Sequence, residues 1–162
     1  MEPIVCRPIG IIRSPFKEPR GTPIQPPAAA GIEGSVEVDP AYAKGLKHVD
    51  GFSHIILLYH FHLSRPSPLQ LKPFMDDEAH GVFAMRGSSR PNTIGLSVVR
   101  LIERRENILR VQDIDIVDGT PLLDIKPYVP QFDAQDRVGV RIGWLEDNVH
   151  KLSTTKDDGR FA

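Results

Sequence analysis

A single cysteine, Cys6, stands among 162 residues, which excludes an intramolecular disulfide and any cysteine-built zinc site. Neither sign of charge prevails. Twenty Lys and Arg against 21 Asp and Glu leave a net charge of −1, so the chain has no basic surplus with which to hold nucleic acid by a broad face. Any such contact has to be local. No apolar run approaches membrane-spanning length, and Met1 to Pro8 show no basic stretch leading into an apolar one; a soluble, cytoplasmic protein is expected. Also missing are a glycine-rich strand-to-helix turn of the dinucleotide-binding kind, a phosphate-binding loop with its lysine, and a nucleophile elbow. Internal repeats and low-complexity tracts are absent too.

What the chain has in plenty is proline. Fifteen prolines are nearly twice the number expected from average usage of about 5%, so many connections are preset in φ. Between them lie short apolar, β-branched segments bounded by Gly, Pro and Asp: residues 4–14, 34–38, 54–62, 81–85, 94–103, 108–117 and 122–126. They predict a mainly β fold, and the need to cover strand edges favours a small single-domain β-barrel with short helices and long proline-rich loops. One short helix is expected from Pro40 to Leu46, with Asp39 as its cap. Arg104 to Asn107 and Asp118 to Pro121 read as turns. The length suits one domain over residues 1–150, with 151–162, poor in apolar residues, expected to be a flexible tail.

Four groups of residues are candidates for chemistry. Arg86 to Gly95 places two guanidinium forks, Arg86 and Arg90, in a loop shaped by Gly87, Pro91 and Gly95, which suits carboxylate or phosphate oxygens. Ser14 to Pro27 is a stiff proline-rich segment that reads either as a surface crossover or as backbone exposed to a ligand. His60 and His62 share one strand face in extended geometry, but two ligands do not make a metal site and nothing in the spacing selects a third. No metal is expected. Gln112 to Tyr128 carries Asp113 and Asp115 on one strand face, with Asp118 and Asp124 flanking the turn, an acidic set suited to a cationic ligand or to the arginines of the first loop.

Taken together, these segments resemble the TrmO-type (TsaA-like) S-adenosylmethionine-dependent tRNA methyltransferases. The similar stretches are Ile9 to Lys17 with Gly21 to Pro26, Gly51 to His62, Gly81 to Arg86, Arg90 to Ser97, and Asp115 to Tyr128. The resemblance implies a non-Rossmann β-barrel acting as a cytoplasmic homodimer. It also implies methylation of the exocyclic amino nitrogen of threonylcarbamoyl-adenosine beside the tRNA anticodon. The alternative is a cofactor-binding protein of this fold that uses another acceptor or serves as a sensor. S-adenosylmethionine would be held by Pro23, Ile24, Gln25, His62, Leu63, Arg86, Leu96, Asp115, Ile116, Val117 and Asp118. Asp115, Asp118 and His62 are the candidates for taking up a proton, and Arg90, Pro91 and Asn92 for meeting RNA or a second subunit. Two departures stand out. Thr93 occupies the place of a second proline in the usual Arg-Pro-Asn-Pro-Ile-Gly, with Met85 where a threonine commonly precedes the arginine. The other is length: longer members carry an additional C-terminal domain, and a short form without it is expected.

Overall fold

Alternation of buried and exposed side chains along each strand sets the architecture. The structure, a computed structural model, describes residues 1–66, 68–134 and 138–162. Its strands are β1 (Gly10–Arg13), β2 (Glu33–Val38), β3 (His54–His60), β4 (Gln70–Leu71), β5 (His80–Gly81), β6 (Ile94–Arg105), β7 (Ile108–Gln112) and β8 (Thr120–Pro127). Six of them close into an antiparallel barrel in the order β1-β2-β7-β6-β3-β8, and β4 and β5 pair separately. Closure leaves no open edge, as the many short β-branched segments required.

Inward positions come every second residue: Ile55, Leu57 and Tyr59 on β3, Gly95, Ser97, Val99 and Leu101 on β6, Leu109 and Val111 on β7. With Ile12, Val36, Ile114 and Leu122 they fill the barrel, each almost wholly shielded from solvent. The inward Ser97 is the conspicuous polar member of this row. Among the described residues, no buried side-chain nitrogen or oxygen lacks a hydrogen-bond partner, so that hydroxyl is satisfied.

Several boundaries differ from expectation for local reasons. The first segment is a strand only from Gly10, since Pro3 and Pro8 have no N–H to give a ladder, and Ile4 and Val5 lie exposed. Residues 81–85 form no strand beyond His80–Gly81. Val82–Ala84 is instead a 3-10 turn that buries Val82 and leaves Phe83 80% exposed. β7 stops at Gln112 because Asp113 turns left-handed (φ 68°), with its carboxylate accepting from Gly31 N at 2.7 Å. Asp113 and Asp115 therefore do not act from one strand face. The expected short helix is present as a 3-10 helix, Pro40–Leu46, and Asp39 caps it through Ala41 N at 2.8 Å.

The stretch expected to be a flexible tail is bonded to the loops around residues 21–22 and 65. Gly21 N donates to Asp157 O (2.7 Å), Asp157 N to Thr22 O (3.0 Å) and Arg65 N to Phe161 O (3.2 Å), while Phe161 is only 5% exposed. Three backbone bonds and one buried ring replace the apolar content that the segment lacks.

Candidate functional site

The barrel mouth holds a cavity of about 1100 Å³, roofed by the proline-rich loop 19–27, the arginine loop 83–90 and the C-terminal segment. Of the eleven residues expected to hold a cofactor, ten line it: Pro23, Ile24, Gln25, His62, Leu63, Arg86, Leu96, Asp115, Ile116 and Val117. They come from five separate stretches of chain. The eleventh, Asp118, is not in the lining. Its carboxylate accepts from Ser14 N at 3.1 Å and from Lys17 Nζ at 2.9 Å, which closes the turn before β8. The bond from Lys17, then that from Ser14, holds its carboxyl below the usual range, which makes Asp118 a weaker base than an ordinary carboxylate.

Three carboxylates line the cavity, Asp113, Asp115 and Asp157, and of these Asp115 is the one in the expected cofactor set. Buried Tyr59 and Ser97 stand behind it in a hydrogen-bonded chain, with Tyr59 Oη and Ser97 Oγ 3.0 Å apart and Ser97 Oγ donating to Asp115 Oδ1 at 2.6 Å. Burial pushes the Asp115 pKa up to about 7, although the Ser97 bond and the Arg86 charge pull the other way. The Tyr59 hydroxyl is driven far above its ordinary value by burial first and the Asp115 charge second, so it remains a neutral donor. Arg86 is tied to the facing loop, its Nη1 donating to Gln25 Oε1 at 3.1 Å. A carboxylate, a guanidinium and an amide thus meet in one cavity with Ile24, Leu63, Leu96 and Ile116 around them, a set that suits a zwitterion with an apolar body.

The histidines divide. His60 Nδ1 lies 3.0 Å from Thr93 Oγ1, and His62 Nδ1 lies 3.4 Å from Thr120 Oγ1. β3 ends at His60, so His62 lies beyond the strand, and each imidazole faces its own threonine. Burial, then the neighbouring His60, lowers the His62 pKa and keeps that ring neutral near pH 7. Among the described residues no three His, Cys, Asp or Glu side chains gather as a metal site. Thr93 uses its extra hydroxyl to hold His60. Arg90 lines the cavity but spends its Nη1 on Met85 O (3.1 Å) and Gly87 O (3.4 Å), which shapes the loop, whereas Pro91 and Asn92 are exposed outside the lining.

Sequence reading missed Tyr59 and Ser97 as site residues, together with Phe74, Met75, Trp144 and Phe161 of the outer wall. Only Ser97 had a signal: a hydroxyl on the inward register of an apolar strand.

Fold and cavity define a class: a closed antiparallel barrel whose mouth is built for a small charged ligand. Residues 11–134 match the tRNA-methyltransferase O N-terminal domain, and the chain belongs to that family. It is 62% identical over 159 residues to a probable S-adenosyl-L-methionine-binding protein of Pyrococcus abyssi, covering 98% of this chain and 85% of that protein. It is 39% identical over 132 residues to the tRNA (adenine(37)-N6)-methyltransferase of Escherichia coli, covering 75% of this chain but only 56% of that enzyme. The crystal structure of TrmO from Pseudomonas aeruginosa superposes with a TM-score of 0.73 at 39% identity, covering 88% of this chain and 63% of that one.

Proposed function

We propose that this chain is an S-adenosylmethionine-dependent methyltransferase that modifies the exocyclic amino group of threonylcarbamoyl-adenosine next to the anticodon in tRNA. The observation that carries this reading is the gathering of ten expected cofactor residues, from five separate stretches, around one cavity. Family membership and the names of the relatives support the donor and the tRNA adenine. The threonylcarbamoyl target rests on the resemblance of the motifs.

S-adenosylmethionine supplies the methyl group on a sulfonium cation. Asp115 offers that cation, or the neighbouring ammonium, an anion in a low-dielectric setting, and Arg86, braced by Gln25, takes a carboxylate. Ile24, Leu63, Leu96 and Ile116 give the apolar parts of the donor a surface within the cavity. In-line displacement gains mainly from positioning the amine opposite the methyl. Once the nitrogen becomes cationic, Asp115 and His62, both lining the cavity, are the candidates for taking its proton.

Replacing Arg86 with alanine is expected to weaken S-adenosylmethionine binding by about 10- to 100-fold, the loss of one charge-assisted bond. Calorimetric titration checks this, and unchanged affinity removes Arg86 from the site. For the reaction itself, the protein is incubated with labelled S-adenosylmethionine and tRNA with or without the threonylcarbamoyl group, and the nucleosides are analysed. Transfer only to the modified tRNA supports the reading. Tight binding without transfer to any RNA favours the second reading, a cofactor-binding sensor, which the name of the Pyrococcus relative suggests.

The protein works in the cytoplasm as a homodimer in this reading. Ile94 and Leu96, 49% and 48% exposed side by side on the outer face of β6 at the cavity rim, are the apolar surface that a second copy would cover. Sedimentation of the native chain as a monomer at micromolar concentration would count against it.

A further inference from the structure

The cavity has a wall that the cofactor reading leaves unused. Residues 143–162 lie beyond the matched stretch 11–134, yet contribute Trp144, Leu145, Val149, Leu152 and Phe161 to the lining, together with Phe74 and Met75. This wall is fixed in place. Trp144 Nε1 donates to Ala84 O at 2.8 Å, and Lys151 Nζ donates to Met75 O at 3.0 Å. The Phe161 and Phe74 rings lie 4.9 Å apart.

Trp144, the only tryptophan, is held most firmly without being core. His80 stacks on it at 4.7 Å and 13°, and is itself bonded to Asp76 at 2.9 Å. An indole secured through its N–H and backed by a stacked ring, yet half-buried beside a cavity, is a preorganised flat surface rather than a filler of volume. The cavity is also large. Single small ligands occupy about 300–1000 Å³, so 1100 Å³ admits the methyl donor together with a second planar group. A base that receives a methyl on its exocyclic amine must leave its stack and enter the space where the donor sits.

We infer that this wall is the acceptor subsite, where the target nucleobase lies against Trp144 with Phe74 and Met75 beside it. The inference rests on the methyl-transfer reading. Trp144 is a positioning residue in it: a neutral aromatic surface recognises the flat base, while Asp115 and Arg86 are left to the charged donor.

The sole tryptophan supplies the probe. The native chain is saturated with S-adenosylmethionine, tRNA is added, and emission is followed; kinetics are measured in parallel for the native chain, Trp144→Ala and Trp144→Phe. Quenching on addition of tRNA is expected, with the KM for tRNA raised about 10-fold or more in Trp144→Ala and largely restored in Trp144→Phe, as one lost stacking contact requires. The calorimetric Kd for S-adenosylmethionine should stay within about two-fold of native, since Trp144 touches the base and not the donor. Unchanged emission with unchanged KM overturns the inference. So does a parallel fall in cofactor affinity, which would place the donor's own adenine on Trp144. If the native chain methylates no tRNA, the functional reading fails, and quenching by tRNA still decides the subsite.

Discussion

Alanine at position 95 is expected to cost the folded chain about 3 kcal/mol and to lower its thermal midpoint by roughly 10 °C. A Cβ on Gly95 would lie 2.2 Å from Tyr59 Cε2 and 2.4 Å from Cζ, far inside contact distance. The ring has nowhere to go. It is 3% exposed, meets Phe61 edge-on at 5.2 Å, and is tied through its hydroxyl to Ser97. Rotating it away would also strand a buried hydroxyl, which adds about 1–3 kcal/mol. The last glycine of the arginine-loop motif is thus required by the ring that crosses it, and through Ser97 by the carboxylate in the cavity. Thermal denaturation followed by circular dichroism measures the effect, and a midpoint within about 2 °C of native would mean that the ring yields freely.

Asparagine at position 115 should abolish this group's contribution to the pH dependence of stability and remove most of the affinity for a cationic ligand. The folded pKa of about 7 lies above the unfolded carboxylate value near 4, so the folded state binds the extra proton between these values. Stability contributed by this group is therefore complete below about pH 4 and is lost as pH rises through about 7. Asp115→Asn lacks that loss and should denature at a higher temperature than native at pH 8 without ligand. With a cation in the cavity the ionised form is favoured, so binding near pH 6.5 releases a proton in native protein and none in the variant. Affinity for S-adenosylmethionine at pH 8 should fall about 10- to 100-fold. Titration calorimetry in buffers of different ionisation enthalpy reads both quantities. Equal affinity and equal proton release in the two proteins would take Asp115 out of the site.

The barrel was legible because its strands are short, β-branched and bounded by turn residues, as at His54–His60 and Ile108–Gln112. Their ends were not, because side chains far away in sequence decide them. Asp113 leaves the ladder to cap Gly31, a partner 82 residues away. Residues 81–85 had the composition of a strand, but a closed barrel offers them no edge to pair with. Motif resemblance named ten residues that line the cavity, whereas Asp118 turns toward Lys17. The outer wall could not be read, since one buried Phe161 and the bond from Trp144 to Ala84 hold a segment whose composition suggests a loose end.

Calorimetric titration of the native chain with S-adenosylmethionine reaches the core of this reading. Saturable binding at one equivalent per cavity, weakened in Arg86→Ala and accompanied by proton release near pH 6.5, is the predicted result. No heat of binding up to millimolar ligand, or binding indifferent to both Arg86 and Asp115, would contradict the assignment of the barrel mouth as a methyl-donor site.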